Sequence, residues 1–156
     1  MTKAPVIGST GPWGSGEVLA TAECVLAPNA SPMTLDGTNT WILGARGAAA
    51  VIVDPGPADE SHLAAVRAVL DRREQVPMVV LLTHGHADHS EGARLFAESL
   101  RVPVRALDPQ HRYGAEGLTA SDIVSVGDLD VRVVATPGHS SDSLSFHLVN
   151  ERAVLT

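Results

Sequence analysis

The chain has 156 residues and a mass of 16.2 kDa, the size of one ordinary domain. Hydrophobic residues make up 44% of it and charged residues 19%, which excludes a disordered tail, a collagen-like repeat and a coiled coil. The formal charge of −7 provides no global basic field that would attract nucleic acid.

The amino-terminal segment, residues 1–16, is rich in Gly, Pro and Ser and lacks the apolar core of a signal peptide. No apolar run approaches the roughly 20 residues that a membrane span requires. The lone Cys24 cannot close an internal disulfide, so the fold does not depend on oxidation. We therefore expect a flexible arm over 1–16, a domain over 17–156, a cytoplasmic location and no membrane partner.

The segment after the arm predicts three strands. Residues 17–26 predict one strand, which the Pro- and Asn-containing residues 28–32 end. Residues 38–43 and 48–54 predict two more, joined by a Gly-Ala-Arg-Gly turn as a hairpin.

A helix is predicted between residues 59 and 73, with Asp59 or Ser61 as its N-cap. Its apolar side chains recur at helical spacing: Leu63, Val66, Val69 and Leu70. Residues 78–84 then form an unbroken apolar run, which is typical of a strand covered on both faces.

The rest of the chain predicts a second helix and a series of short strands. The helix begins near Asp88 and carries an apolar stripe of Ala93, Phe96, Ala97 and Leu100. The predicted strands are 102–107, 123–126, 130–136, 143–149 and 152–156, with a loop or short irregular helix over 108–121.

This order of elements predicts an α/β layered domain with buried strands. Residues 152–156 end the chain within an apolar strand, without a polar tail or cap, and a natural domain seldom ends in this way. We therefore expect a truncated chain and an incomplete domain.

The sequence His-Gly-His-Ala-Asp-His at 84–89 lies where a buried strand is predicted to end and a helix to begin. In an extended segment His84 and His86 are about 7 Å apart, which lets both reach one ion through bonds of about 2.1 Å. Asp88 would then lie about 13 Å from His84. Either the backbone curls, or Asp88 and His89 hold a second metal.

Two other residues are assigned to the same site. His139 follows a strand and a Pro-Gly turn; a lone histidine in such a place is more often a surface residue, but the site still needs a third nitrogen ligand. Asp54 ends a predicted strand and could simply cap the turn before Pro55, or it could orient a ligand or a bound water from outside the ligand set.

Simpler readings exist for individual residues. Asp88 alone could be an N-cap, with Glu91 completing a capping box, but this explains none of the histidines. We expect His62 and His147 to be structural, whereas His111, in a polar loop, could line a substrate entrance.

The box at 84–89, the Asp54 strand before it and Thr-Pro-Gly-His at 136–139 resemble the first three motifs of the metallo-β-lactamase superfamily, in the same order. Residues 32–41 followed by Val-Ile-Val-Asp-Pro-Gly are similar to the branch named β-lactamase-like protein 2, which includes endoribonucleases and uncharacterised bacterial hydrolases. The resemblance covers essentially the whole chain. It implies an αβ/βα sandwich, with the first half and part of the second present, and a dinuclear zinc site at one edge.

Carried over residue by residue, the resemblance implies two sets of zinc ligands: His84, His86 and His139 for the first ion, Asp88 and His89 for the second. Asp54 would be the buried carboxylate of the first motif. Family members also carry a bridging Asp and a final His, and the chain ends at Thr156, about where the bridging Asp is expected. We therefore expect one zinc or fewer per chain, with the second site weak or empty.

The chemistry that the resemblance implies is hydrolysis by a metal-bound hydroxide, since zinc lowers the pKa of a bound water and polarises the scissile group. Asp88 would be catalytic, because it would hold one metal and orient that nucleophile. Zinc rather than iron or manganese is a family expectation, which an N/O ligand set alone does not decide.

The closest-looking branch favours a phosphodiester substrate such as RNA, although the acidic charge balance provides no phosphate-binding track. A thioester hydrolase of the glyoxalase II kind and a metal-binding fragment without turnover are the alternatives. Antibiotic hydrolysis is disfavoured because no export signal is present, and a redox di-iron role because that branch has Glu in place of His86.

A truncated face would expose apolar surface, so we also expect pairing with a second copy.

Overall fold

The computed structural model describes residues 14–156, so most of the predicted arm lies outside the described residues. Residues 14–156 form two sheets and three α-helices. The strands are β1 Gly16–Leu19, β2 Ala22–Leu26, β3 Asn39–Leu43, β4 Ala49–Val53, β5 Val76–Leu81, β6 Val104–Arg105, β7 Ile123–Val126, β8 Leu129–Ala135, β9 Leu144–Leu148 and β10 Ala153–Leu155. The helices are α1 Glu60–Arg72, α2 Ala87–Ser90 and α3 Ala93–Leu100, with 3-10 turns at Pro109–His111 and Val149–Glu151.

The larger sheet has six strands in the order β1-β2-β3-β4-β5-β6. Neighbours from β1 to β4 are antiparallel, whereas β4, β5 and β6 are parallel. Parallel neighbours need crossover connections, and here α1 joins β4 to β5 while α2 and α3 join β5 to β6. The predicted alternation of strands and helices from residue 48 to residue 107 is confirmed, as is the antiparallel hairpin of β3 and β4.

The smaller sheet has four antiparallel strands in the order β10-β9-β8-β7, and it packs on the larger sheet. Alternate residues of β4 and β5 face opposite ways, as the period of a strand requires. Val51, Val53 and Leu81 pack against the small sheet, in a cluster that includes Val131 and Phe146. The neighbouring residues Ile52, Val80 and Leu82 face the other way. They pack against the helices, in a cluster with Leu63 and Val66 of α1 and Phe96 of α3.

The small sheet presents its other face to solvent, where Ile123, Val134 and Val154 are exposed. Pairing with a second copy through this surface stays a prediction. Within residues 14–156, no helix has both the length and the apolar character that a membrane crossing requires.

Two sequence-based boundaries are wrong. The single strand predicted over 17–26 is a hairpin, in which β1 and β2 pair antiparallel across a turn at Ala20 and Thr21. The single helix predicted from Asp88 is interrupted between α2 and α3. The interruption lies at Gly92, whose N–H donates to Gly56 O at 2.8 Å; a Cβ there would lie 2.5 Å from Pro57 O.

The end of helix α1 and its cap agree with the prediction. Asp59 is the N-cap, and its Oδ1 accepts the backbone N–H of His62 at 2.8 Å. Leu63, Val66 and Leu70 form the buried face. The helix thereby returns the chain from the end of β4 to the start of β5.

The register of the parallel strands places the box and Asp54 side by side. Val53 is the partner of Leu81, so Asp54 and the segment from Thr83 emerge at the same sheet edge. The small sheet brings the third segment there, since Leu144 N donates to Thr83 O at 2.7 Å and the turn that carries His139 immediately precedes β9.

Candidate metal centre

Three histidines converge where these segments meet. Nitrogen atoms of His84, His86 and His139 all lie within 4.8 Å of one another. His86 Nδ1 and His139 Nε2 are 3.0 Å apart. Two nitrogens on one tetrahedral zinc, each with a bond of about 2.1 Å, are about 3.4 Å apart, so this spacing needs little adjustment to hold an ion.

The orientation of His84 is set by Thr83 and Asp54. The Thr83 hydroxyl donates to Asp54 Oδ2 at 2.6 Å, and its oxygen lies 3.0 Å from His84 Nδ1. Because the hydroxyl has a single proton, already given to Asp54, His84 Nδ1–H must be the donor in the second bond. This tautomer leaves Nε2 of His84 as the free nitrogen.

The protonation of His84 also suits a metal ligand. Burial lowers the pKa of His84, and the charges of His89, His86 and His139 lower it further, while Asp54 opposes them. A metal binds the neutral imidazole, so a lowered pKa reduces competition from protons. His86 and His139 are exposed to solvent, which leaves the three-nitrogen group accessible from outside.

Asp88 and His89 form a separate group with Asp54. His89 Nδ1 lies 2.8 Å from Asp54 Oδ2, and its Nε2 lies 3.4 Å from Asp88 Oδ2. Burial lowers the pKa of His89, but the hydrogen bond and charge of Asp54 and the charge of Asp88 outweigh it and raise the pKa overall. An imidazole bonded to a carboxylate through one nitrogen presents the other to a metal.

Helix α2 bears on one of the two possibilities that the sequence left open for Asp88. The backbone does curl at Ala87, yet Asp88 does not join the three histidines whose nitrogens lie within 4.8 Å of one another. Its carboxylate instead faces His89. The assignments of ligand and catalytic roles to these residues stay predictions.

A cavity of about 180 Å³ lies beside this second group. Asp54, Thr83, Asp88 and His89 form one wall. Other lining residues come from the β2–β3 loop, from β3 and from the chain end, among them Met33, Leu35, Trp41 and Thr156. Met33 and Leu35 are strongly exposed, at 89% and 78%, so apolar side chains stand at the rim of the cavity.

Two further residues, Asp142 and His111, contact the box at 84–89, and neither contact is predicted from the sequence. Asp142 accepts the Ser140 hydroxyl at 2.7 Å and the backbone N–H of Gly85. Burial raises the pKa of Asp142, but these hydrogen bonds outweigh it and lower the pKa overall. His111 lies against Gly85: a Cβ on that glycine would be 2.5 Å from His111 Nε2. The position of Asp142, three residues after His139, is the one feature of the sequence that could have indicated its contact with the box.

The other histidines lie outside this group. His62 is buried, at 2% exposure, and His147 is half-buried in β9. The residues that converge at the sheet edge thus fit a metal ion, because imidazole nitrogens are the usual ligands of zinc and Nε2 of His84 is left free by its tautomer.

Comparison with known proteins agrees with this geometry. Residues 33–156 match the sequence model of the Metallo-beta-lactamase superfamily. The lactamase-like protein aptB of Emericella nidulans is 34% identical over 133 residues, which are 85% of this chain and 43% of that protein. The beta-lactamase-like protein 2 homolog of Caenorhabditis elegans is 31% identical over 140 residues, 85% of this chain and 47% of that protein.

A third relative, an atrochrysone carboxyl ACP thioesterase of Aspergillus fumigatus, is 33% identical over 140 residues, 85% of this chain and 42% of that protein. The chain thus spans less than half the length of these curated relatives.

Solved structures share the fold. The BLEG-1 B3 metallo-beta-lactamase superposes with a TM-score of 0.61 at 26% identity, over 75% of this chain and 65% of that one. ETHE1 from Myxococcus xanthus gives 0.58 at 28% identity, over 70% of this chain and 48% of that one. The similarity to the family predicted from the box, the Asp54 strand and the 136–139 segment is confirmed, and the chain belongs to the metallo-β-lactamase superfamily.

Proposed function

We propose that this protein is a zinc-dependent hydrolase that cleaves an acyl thioester at the sheet edge where the three histidines meet. The observation that carries the proposal is the convergence of nitrogens from His84, His86 and His139 within 4.8 Å, next to a cavity. A zinc ion bound there would lower the pKa of a water molecule and polarise the scissile carbonyl.

The chain's own residues would divide the remaining work. His84, His86 and His139 would hold the first ion, while Asp88 and His89 would hold a second. The carboxylate of Asp88 is partly exposed, with 37% of its side chain accessible, and it lines the cavity. It would accept a hydrogen bond from the attacking water and so fix the direction of attack. Asp54 would hold the imidazole of His89 in place.

The walls of the cavity support a neutral acyl substrate. Its rim carries Met33 and Leu35, its wall includes Trp41, and no Lys or Arg is among the lining residues of the described chain. Polyanions such as RNA are normally bound through Lys and Arg. The relative from Aspergillus fumigatus and another from Pseudocercospora fijiensis carry the name thioesterase. The phosphodiester substrate stays a prediction that the same assay tests.

The test is hydrolysis by the 156-residue chain, with zinc bound and after removal by a chelator, of an acyl thioester and of a chromogenic phosphodiester. We expect turnover of the thioester that is lost on chelation and in His84→Ala. His147→Ala is the matched control, because His147 is a half-buried strand histidine outside the group. Faster turnover of the phosphodiester would contradict the substrate class. Zinc binding without turnover would leave a metal-binding fragment, and no zinc binding would reject the proposal.

A further inference from the structure

Asp54, whose carboxylate contacts Thr83 and His89, has an unusual backbone conformation. Its φ is +52°, in the left-handed region that side chains other than Gly rarely adopt, and the residue is 4% exposed. A buried residue keeps such a conformation only where its surroundings hold it. The contacts of its main chain are therefore informative.

The carbonyl of Asp54 is held by Thr40 on β3. Thr40 Oγ1 donates to Asp54 O at 2.7 Å, and Thr40 is completely buried. The hydroxyl oxygen of Thr40 also lies 2.8 Å from Nε2 of His62. Because the hydroxyl proton is given to Asp54, the bond to His62 must have Nε2–H as its donor.

His62 reaches this position from helix α1. Its ring lies 5.8 Å from that of Phe96, at the interface between the helix and the sheet. With its proton on Nε2, the ring leaves Nδ1 as a buried nitrogen that has no hydrogen-bond partner. Thr40 is thus the polar partner of this buried imidazole, and the imidazole fixes the direction of the Thr40 hydroxyl.

The carboxylate of Asp54 faces the other way, towards the metal centre. Its Oδ1 accepts Thr83 N at 2.8 Å, and its Oδ2 is shared by the Thr83 hydroxyl and His89 Nδ1. The Thr83 hydroxyl in turn accepts from His84. One carboxylate therefore orients an imidazole of each predicted ligand set.

We propose that Thr40, held by His62, is a positioning residue of the metal centre: it fixes Asp54 in its left-handed conformation and thereby sets the tautomers of His84 and His89. The effect on metal affinity rests on the proposed metal binding, whereas the effect on tautomers does not. Thr38, in the loop just before β3, makes a comparable contact, because its hydroxyl donates to Asp88 O at 2.7 Å.

The test compares Thr40→Val, which keeps the shape and removes the hydroxyl, with Thr40→Ser, which keeps the hydroxyl. The matched control is Thr21→Val, which removes a 2.7 Å hydrogen bond to Glu151 away from the site. The first measurement is ¹⁵N–¹H NMR of the imidazoles in the metal-free chain. We expect protons on Nδ1 of His84 and His89 in the wild type, the Ser variant and the control, and mixed tautomers in Thr40→Val.

The second measurement is zinc affinity, followed also by cobalt absorption. Displacing residues that orient ligands typically weakens metal binding about 10- to 100-fold, so we expect about a 10-fold loss in Thr40→Val and wild-type affinity in Thr40→Ser and Thr21→Val. A folded Thr40→Val with wild-type tautomers and affinity would overturn the proposal.

A second pair of variants covers the case in which Thr40→Val does not fold. His62→Gln retains an N–H donor towards Thr40, and His62→Phe retains only the ring. Wild-type tautomers in both would overturn the proposal, whereas their loss in His62→Phe alone would support it. A wild-type chain that binds no zinc would reject the proposed function, and the tautomers would still decide this inference.

Discussion

His89 Nδ1 lies 2.8 Å from Asp54 Oδ2, the same oxygen that accepts the Thr83 hydroxyl at 2.6 Å. Through Thr83, this carboxylate also orients His84. The two ligand groups are therefore linked by one buried side chain. A change at Asp54 should affect both, although the side chain is not itself predicted to bind metal.

Asp54→Asn tests this link with little change in size. The amide removes the negative charge and one of the two acceptor oxygens, so the Thr83 hydroxyl and His89 can no longer both be satisfied. We expect zinc affinity to fall about 10- to 100-fold. Equilibrium dialysis measures it, with Asp130→Asn as control because Asp130 accepts a hydroxyl of an exposed serine at 2.7 Å. Equal affinity in both variants would contradict the role of Asp54.

His139→Ala tests whether the turn before β9 supplies a ligand. His139 Nε2 is 3.0 Å from His86 Nδ1, and the loss of one of three nitrogens should weaken zinc binding by more than the roughly 10- to 100-fold that losing a ligand-orienting residue costs. His147→Ala should bind zinc as the wild type does. Bound zinc measured by elemental analysis after gel filtration compares the two variants, and full occupancy of His139→Ala would remove His139 from the site.

Gly85→Ala tests the contact between the box and the β6–β7 connection. The added Cβ would lie 2.5 Å from Nε2 and 2.8 Å from Cδ2 of His111, and 3.2 Å from Asp142 Oδ2. We expect a lower melting temperature and weaker zinc binding, since the box must shift. Much of this loss should be recovered in Gly85→Ala/His111→Ala, which removes the ring. Losses that simply add in the double variant would mean that the two residues do not interact.

Much of this architecture was predictable because local sequence and global fold agree. The apolar run over 78–84 predicts a strand covered on both faces, and β5 is so covered: Leu81 packs against the small sheet and Val80 against the helices. The hairpin of β1 and β2 was missed because Ala20 and Thr21 carry no turn-specific residue type. The break before α3 was missed because it depends on Gly56 and Pro57, which are distant in sequence from Gly92.

In the site, too, features encoded by local sequence were predictable and contacts between distant segments were not. The box at 84–89 predicted a cluster from spacing alone, and the structure brings two of its histidines together with His139. The roles of Thr40, Asp142 and His111 depend on contacts between separate segments, which no local pattern encodes. The sequence predicts a structural role for His62, and its burial agrees with this, but no local pattern indicates its hydrogen bond to Thr40.

His62 should make stability depend on pH. Burial lowers its pKa below the usual value near 6.5, although the charge of Asp59 opposes this. Below pH of about 6.5 the unfolded chain therefore binds a proton that the folded chain resists, and stability falls as the pH falls. The lowered pKa of His84 also makes stability fall as the pH falls, whereas the raised pKa of His89 has the opposite effect. Both histidines are present in His62→Gln, so their contributions are the same in the two chains.

The difference between wild type and His62→Gln therefore isolates this residue. Urea unfolding of the metal-free chains between about pH 7.5 and 5 should show that the wild type loses more stability than the variant. Parallel curves for the two chains would mean that His62 does not titrate differently in the folded state.

Arg73 should support the fold without affecting the metal centre. Its buried guanidinium contacts Glu17 at 2.8 Å and Glu23 at 3.4 Å, and it donates to Gly44 O at 3.0 Å. It thereby ties the end of helix α1 to the β1–β2 hairpin. Arg73→Met removes one of the two cations that pair with the buried carboxylate of Glu23, since Arg72 also contacts it. Because Arg72 remains, we expect the free energy of unfolding to fall by less than the roughly 3–5 kcal/mol that an unpaired buried charge costs.

The control is Arg94→Met, which removes an exposed pair with Glu98, four residues later on α3. Such a pair contributes about 0.3–0.5 kcal/mol, so this variant should unfold close to the wild type. Zinc affinity should be unchanged in both variants, because Arg73 lies at the opposite end of the strands from the histidines. A loss of affinity in Arg73→Met at temperatures where it is fully folded would show that the hairpin and the metal centre are coupled through β3, the strand that carries Thr40.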